Sequence, residues 1–185
     1  MLSPIFITRY QKEESPRFLH PRFCQPEDLA ALLRLQDRIQ AYLPDPSIFV
    51  ATEPEEWQVL LSASQPQVLG LWDENRLTAY GIFLLCGTSS ENYGWKLPIP
   101  GDQVPFWANM DTIAVDPDYR GNGLERQILN QMETLCPHWI RGFCCTVSPD
   151  NPHSLNNVQK AGYEIVTRTP MYQGYDRYIL KKERD

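Results

Sequence analysis

The sequence has few of the residues that build metal centres, disulfide frameworks or membrane spans. Its 185 residues include three histidines and five cysteines, and no Cys-x-x-C pair occurs. Scattered histidines and an odd number of cysteines predict no metal site and no disulfide scaffold, and favour reduced, buried thiols. No apolar run approaches the roughly 20 residues that a membrane helix needs. We therefore expect a cytoplasmic protein that binds no metal and no membrane.

Positive charge is also scarce in this sequence. Seventeen Lys and Arg residues stand against 23 Asp and Glu residues, which gives a formal net charge of −6. Because nucleic-acid binding depends on clustered Lys and Arg side chains that contact phosphates, this balance argues against a nucleic-acid partner. The length fits one domain that buries roughly 70% of the surface exposed by its unfolded chain.

Hydrophobic patterns predict alternating strands and helices after an N-terminal arm over residues 1–20, to which we assign at most one strand. A single domain follows over residues 21–185. The order predicts an α/β (α+β) fold, in which one mixed, mostly antiparallel sheet carries helices on both faces. The predicted helices cover 26–42, a segment capped by Thr52 and Glu55, 124–135 and 151–160; the predicted strands cover 22–24, 68–72, 77–86, 107–115, 139–147, 163–166 and 175–180.

The sequence alone assigns no regular structure to two segments. Residues 87–105 are rich in Gly, Pro, Ser and Asn, and such a long loop is either functional or disordered. Residues 167–174 join the last two predicted strands.

The most informative stretch is T-I-A-V-D-P-D-Y-R-G-N-G-L, which begins at Thr112. A strand ends here, the chain turns at Asp116, and Gly121 and Gly123 precede a helix. Two glycines and a helix start together present several backbone N–H groups to an anion such as a phosphate. The stretch lacks the Walker lysine and the third glycine of a dinucleotide turn. By itself, the Gly-x-Gly pair equally fits a tight turn before an amphipathic helix.

The longer pattern V-x-P-x-Y-R-G-x-G-L resembles the acetyl-CoA signature of the GNAT superfamily of N-acetyltransferases. Arg120 and Gly123 match the family motif Gln/Arg-x-x-Gly-x-Gly/Ala, whereas Glu125 stands where the family has Gly or Ala. The resemblance implies the GNAT fold and acetyl-CoA as co-substrate. It also implies that the CoA pyrophosphate contacts the backbone of Arg120, Gly121, Asn122, Gly123, Leu124 and Glu125.

The same resemblance assigns further residues to acetyl-CoA. In the family, main-chain groups of the strand before the motif hold the thioester carbonyl and the pantetheine arm. The matching residues are Ile113, Ala114 and Val115. The segment from Asn151 and Ser154 to Ala161-Gly162-Tyr163 is similar to the family's segment after its fifth strand. The position of the family's usual acid, a tyrosine, is occupied by Val158, which we expect to pack against pantetheine. Cys145, Ser154 or a water is left as the acid.

Asp111 is the candidate general base, because several GNAT enzymes carry Glu at this position. It shares a strand face with Asn109, which we assign to the acceptor site. Its shorter side chain implies a bridging water. The alternative interpretation is a structural Asp that bonds a neighbouring loop.

The family resemblance also implies that the loops between the first two helices and between the last two strands bound the amine cleft. Tyr42, Phe49 and Tyr172 occupy these places. The predicted function is an N-acetyltransferase that moves an acetyl group from acetyl-CoA to a primary amine, on a small molecule or a protein, in a ternary complex. The alternative, favoured by Val158 and Glu125, is a catalytically weak acyl-CoA-binding sensor or partner subunit. Either protein would be a monomer or a homodimer.

Overall fold

The computed structural model describes residues 2–172 and 174–184. Gln173, which falls in the predicted connection 167–174, therefore lies outside the described residues, as do Met1 and Asp185. The chain divides into two units. The first unit comprises residues 1–82 and 112–128, and the second comprises 83–111 and 129–185.

Eight strands of the described residues form a single mixed sheet, which confirms the predicted fold class. The order across the sheet is β1-β2-β3-β4-β5-β6-β8-β7, in which β5 and β6 are parallel. The pairs β1–β2, β2–β3, β3–β4, β6–β8 and β7–β8 are antiparallel. The strands are β1 Ile5–Tyr10, β2 Glu13–Phe23, β3 Val68–Asp73, β4 Arg76–Leu84, β5 Trp107–Val115, β6 Gly142–Val147, β7 Glu164–Met171 and β8 Tyr175–Glu183.

The N-terminal arm is a β-hairpin of the first unit. Its two turn residues, Gln11 and Lys12, have positive φ angles. Ile5, Ile7 and Leu19 are buried. The additional strand of the arm is present as β1, and the strand predicted at 22–24 starts at residue 13 and is much longer than expected. The domain boundary at residue 21 stays a prediction.

Helices α1 Leu29–Tyr42 and α2 Pro54–Leu61 also belong to the first unit. Helix α1 buries Leu32, Leu35 and Ile39. Helix α2 buries three apolar residues, Trp57, Leu60 and Leu61.

The predicted capping box of Thr52 and Glu55 is wrong. Helix α2 is capped at Glu53 without a side-chain hydrogen bond. Thr52 is buried, and its backbone pairs with the side chain of Gln36: Thr52 N donates to Oε1 and Nε2 donates to Thr52 O, both at 3.0 Å. This buried pair holds Thr52 outside the helix, so a tertiary contact overrides the local capping signal.

In the second unit, residues 87–105 are folded, which excludes the disordered alternative. They contain two short 3₁₀ helices, Tyr93–Lys96 and Val104–Phe106. The buried Asn92 joins them: its Nδ2 donates to the carbonyls of Gly87 and Val104, and its Oδ1 accepts from Gly94 N. Tyr93 and Leu97 pack in a cluster with Trp107, Cys144 and Ile179.

Several predicted boundaries move in the two units. Strand β4 ends at Leu84 rather than at residue 86. Strand β6 begins at Gly142 rather than at residue 139, because a turn bond from Ile140 N to Pro137 O occupies the chain before it. Helices α3 Leu124–Leu135 and α4 Pro152–Lys160 match their predictions, whereas β7 and β8 are longer than expected.

Gly142 packs directly against the Trp107 ring, which generates a first prediction. A Cβ atom at this position would lie 2.4 Å from Trp107 Cζ3. We expect Gly142→Ala to lower the free energy of unfolding by about 1–3 kcal/mol, because the ring has to move. Gly101→Ala is the matched control: its Cβ would meet Trp95 Cζ3 at an ordinary 3.5 Å, so the change should stay within about 0.5 kcal/mol. Denaturant unfolding measures both, and equal stabilities would contradict this packing argument.

Candidate functional site

The turn after β5 is held by a buried carboxylate of the first unit. Asp116 Oδ1 accepts from Asp118 N at 2.9 Å and from Arg38 Nε at 3.1 Å. Its Oδ2 accepts from Arg76 Nη2 at 2.7 Å, and Asp116 N donates to Thr78 O. The side chain of Asp116 is only 2% exposed. The two arginines therefore fix the point at which the chain leaves the sheet toward the Gly-x-Gly loop.

Two more carboxylates brace this turn, and both have lowered pKa values. Burial raises the pKa of Asp118, but hydrogen bonds from Arg76 and Gln11 outweigh it. Burial also opposes ionisation of Asp73, whose pKa is nevertheless lowered by hydrogen bonds from Tyr119 and Arg17. Both groups therefore stabilise the folded turn in their charged form, a contribution that is lost only as the pH falls through these lowered pKa values.

The two motif glycines adopt left-handed backbone conformations. Gly121 has φ +85° and Gly123 has φ +66°. A residue with a Cβ is strained at such angles, so the sequence requires glycine here. Among the described residues, no group accepts a hydrogen bond from the backbone amides of Gly121, Asn122, Gly123 or Leu124. This run of amides at the start of α3 suits an anionic ligand.

The side chain of Asn122 joins the loop to strand β1. Its Oδ1 accepts from the amides of Thr8 and Arg9 at 3.2 and 3.1 Å. Its Nδ2 donates to the carbonyls of Arg9 and Tyr119 at 2.8 and 2.9 Å. The N-terminal hairpin therefore shapes the loop, and a ligand contact from Asn122 would come from its backbone. No local sequence pattern predicts this pairing, since Thr8 and Asn122 are 114 residues apart.

Two residues that were predicted for different subsites meet in the first unit. The Arg120 guanidinium lies over the Tyr42 ring, 4.6 Å from its centroid. Tyr42 ends α1 and is exposed, whereas Phe49 in the connection to α2 is half-buried. At the loop's other end, Leu124 is buried and Glu125 lies in the first turn of α3.

The pantetheine residues predicted on β5 lie beyond the stretch that pairs with β6. The parallel pairing covers Trp107 to Met110, whereas β5 continues to Val115. Ala114 is buried, and Ile113 and Val115 are half-buried.

Helix α4 carries the remaining residues that were predicted for acetyl-CoA. Asn151 caps it, because its Oδ1 accepts from Ser154 N at 3.1 Å. Val158 is buried within the second unit, as is Cys145 on β6.

Asp111 belongs to a group of hydrogen-bonded side chains in the second unit. The Tyr93 hydroxyl donates to Asp111 Oδ1 at 2.5 Å and lies 2.5 Å from the Tyr172 hydroxyl. The Tyr172 hydroxyl lies 3.0 Å from Thr146 Oγ1. We call these four residues the Asp111 cluster. The sequence indicated Asp111 and Tyr172 separately but missed Tyr93 and Thr146, which come from a loop without a motif and from a strand interior.

Asn109, predicted for the acceptor site, also holds the backbone of Tyr93 in this cluster. Its Oδ1 accepts from Tyr93 N at 3.0 Å, and its Nδ2 donates to Glu91 O at 2.9 Å and Cys86 Sγ at 3.4 Å. Its amide is buried and holds residues 87–105 against β5. A contact between Asn109 and an acceptor stays a prediction.

Burial keeps the phenols of the Asp111 cluster protonated. It raises the pKa of Tyr93 well above its ordinary value, with the nearby Asp111 charge as a second cause. Burial and the same charge raise the pKa of Tyr172 to about 12. Both residues are therefore neutral hydrogen-bond donors at neutral pH.

Across 2–172 and 174–184, no group of three or more His, Cys, Asp or Glu side chains is placed to hold a metal ion. No helix in these ranges is both long and apolar enough to cross a bilayer.

Solved structures of similar fold support the topology. The loading GNATL domain of CurA from Lyngbya majuscula has a TM-score of 0.70 and 15% identity, covering 90% of this chain and 98% of that one. NAA60 of Arabidopsis thaliana in complex with acetyl-CoA gives 0.67 and 16%, covering 89% and 98%. The ribosomal-protein-S18-alanine N-acetyltransferase of Escherichia coli gives 0.62 and 17%, covering 89% and 93%. These identities establish a shared fold alone.

Sequence comparison extends the likeness to a family. An uncharacterised protein of Mycobacterium leprae is 25% identical over 122 residues, which are 64% of this chain and 33% of that protein. The chain thus spans about a third of that relative's length. Residues 29–163, more than half of the chain, match the family described as "Acetyltransferase (GNAT) family". The signature around Arg120 predicted this match, and the chain belongs to the acetyltransferase (GNAT) family.

Proposed function

We propose that this protein is an acetyl-CoA-dependent N-acetyltransferase that transfers an acetyl group directly to a primary amine in a ternary complex. One observation carries the step from family to reaction: the Asp111 carboxylate is hydrogen-bonded within a cluster of neutral hydroxyl groups. A free alkyl ammonium has a pKa near 10.4, so attack on a thioester at neutral pH requires a group that accepts a proton. Asp111 is the group we assign to this task.

Acetyl-CoA binding is proposed for the loop of the first unit. The amides of Gly121 to Leu124 would hold the pyrophosphate, with Arg120 and the backbone of Glu125 beside them. Main-chain groups of Ile113, Ala114 and Val115 would hold the pantetheine arm and polarise the thioester carbonyl. The contributions of Asn151, Ser154 and Val158 rest on the family resemblance. Two solved structures of similar fold supply context: one is a ribosomal-protein-S18-alanine N-acetyltransferase, and the other contains acetyl-CoA.

The acceptor is an amine of a small molecule or a protein. Tyr42, Phe49 and Tyr172 remain our candidates for its contacts. The deciding experiment is a panel of primary amines and short peptides with free N-termini, incubated with acetyl-CoA and followed as thiol release and as acetylated product. Binding of acetyl-CoA without transfer to any amine would favour the sensor alternative, which the buried Val158 at the usual acid position supports.

Acetyl-CoA should stabilise the folded protein through the Gly-x-Gly loop. At about 100 times the dissociation constant, we expect about 2.7 kcal/mol of stabilisation, seen as a rise in Tm. Gly123→Val should abolish this rise, because a branched side chain blocks close approach of the phosphates and is strained at φ +66°.

Gly87→Val is the matched control for this prediction. Gly87 also has a positive φ, +53°, and no heavy atom lies within 4 Å of its added Cβ. This variant should carry similar strain and keep the full response to acetyl-CoA. An unchanged response in Gly123→Val would place the pyrophosphate elsewhere.

Asp111→Asn should retain acetyl-CoA affinity and lose turnover. General-base catalysis typically contributes about 10²- to 10⁴-fold, so kcat should fall within that range. The wild-type kcat should rise with pH through a group that the variant lacks, because the base acts when deprotonated. Asp102→Asn removes an exposed carboxylate from the same unit and should leave kcat unchanged. A stability loss in Asp111→Asn with normal turnover per folded molecule would instead support a structural Asp.

A further inference from the structure

The hydroxyl hydrogens of the Asp111 cluster have one consistent arrangement when Asp111 is ionised. A carboxylate has no hydrogen, so the Tyr93 hydroxyl donates its single hydrogen to Asp111 Oδ1. The Tyr93 oxygen must then accept from the Tyr172 hydroxyl. Because Tyr172 has spent its own hydrogen, its oxygen accepts from Thr146 Oγ1. Every hydroxyl in this series of hydrogen bonds therefore donates in the direction of Asp111.

We propose that Tyr172 and Tyr93 form a proton relay that carries the proton of the acceptor amine to Asp111. This inference rests on the proposed function. As the amine nitrogen bonds to the acetyl carbon, its N–H bond breaks and the proton goes to the Tyr172 oxygen, directly or through one water. The Tyr172 hydrogen moves to the Tyr93 oxygen, and the Tyr93 hydrogen moves to Asp111 Oδ1. As the new C–N bond forms, the C–S bond of the thioester breaks and CoA leaves as a thiolate, which carries the negative charge that Asp111 loses. Asp111 ends neutral and both phenols end as they began, so atoms and charge balance.

Accessibility in the second unit favours Tyr172 as the entry to this relay. Tyr172 is half-buried in the connection between β7 and β8, whereas Tyr93 is 6% exposed and packs against Leu97, Trp107 and Ile179. Solvent therefore reaches Tyr172 more readily than Tyr93. The relay also connects the short Asp111 side chain to a distant amine. From the sequence, we expected a bridging water to make this connection.

Residues 87–105 acquire a role from this inference. Tyr93 is fixed at both ends, because its backbone N donates to Asn109 Oδ1 and its hydroxyl donates to Asp111. Asn92 holds the adjacent turn through Gly94 N. Tyr93 acts through Tyr172 and Asp111 and is thus a positioning residue.

Cys86 and Arg177 are further titratable groups that lie near the relay. Burial, reinforced by the charges of Asp111 and Glu91, raises the pKa of the Cys86 thiol to about 11, so Cys86 stays neutral. The buried Arg177 lies 5.7 Å from the Tyr172 ring centroid and favours negative charge on that phenol. Arg177 therefore stabilises Tyr172 at the moment when its hydrogen has left.

Tyr93→Phe tests the relay, because it removes the hydroxyl and keeps the ring. Using the 185-residue chain and an amine that the wild type acetylates, we expect kcat to fall at least about 10-fold with the KM for acetyl-CoA unchanged. Tyr172→Phe should do the same, and it guards against a packing fault at the more buried Tyr93. In an Asp111→Asn background, Tyr93→Phe should cause no further loss of kcat, because both changes interrupt one path.

The pH profile separates a relay from a purely structural hydroxyl. Removing a donor to a carboxylate raises the pKa of that carboxyl, so the acidic limb of kcat in Tyr93→Phe should move to higher pH. Tyr163→Phe is the matched control: its buried hydroxyl donates to Glu133 Oε1 at 2.9 Å in the same unit. This control should keep the wild-type kcat and pH profile.

The outcomes distinguish the relay from the function on which it rests. Full turnover by folded Tyr93→Phe and Tyr172→Phe, with Asp111→Asn inactive, overturns the relay and leaves Asp111 as a base that acts without it. Additive losses in the double variant also overturn the relay. A wild type that binds acetyl-CoA and acetylates no amine overturns the proposed function and the relay together.

Discussion

The buried Asp116 carboxylate is the constraint on which the first unit's loop depends. It accepts hydrogen bonds from two arginines that come from α1 and β4, and from the amide of Asp118 two residues further on. Burying a carboxylate without such partners would cost folding free energy. The turn therefore requires the two arginines, and the arginines hold the turn in place. The chain consequently enters the Gly-x-Gly segment along one path. Its amides are then held in one arrangement, which would lower the ordering cost of binding the proposed pyrophosphate.

Features that depend on neighbouring residues could be predicted from the sequence. Strand β5 has the predicted bounds because it begins at Trp107, ends in the β-forming run Thr112 to Val115 and is followed by Pro117. Helix α3 follows from an apolar stripe that begins after Gly123. The requirement for glycine at 121 and 123 could also be predicted, since a tight turn into a helix commonly needs a left-handed backbone conformation. Asn151 caps α4 by a contact three residues away.

Features that depend on distant residues could not be predicted in this way. The Thr52 capping signal failed because a glutamine sixteen residues earlier takes both polar groups of its backbone. Asn122 was predicted to contact the pyrophosphate through its backbone, but no local pattern indicated that its side chain bonds β1. Tyr93 carries no signal at all, because an aromatic residue in a Gly- and Pro-rich loop has no periodicity to place it. These contacts are set by the sheet, which brings together segments that are remote in sequence.

Asp111 shows why the functional and structural interpretations of one residue need not exclude each other. The sequence left it either as a base or as an Asp that bonds a neighbouring loop, and in the structure it does bond the loop residue Tyr93. That bond favours the charged form of the carboxylate, which by itself makes Asp111 a weaker proton acceptor. Burial in the cluster acts in the opposite direction, because it disfavours charge. Because these two effects oppose each other, the charged carboxylate can hold the loop. It can also accept a proton that arrives through the same hydrogen bond. The contact that secures residues 87–105 would then also be the path of the proton, so that the fold of this segment and the chemistry of the site depend on one interaction.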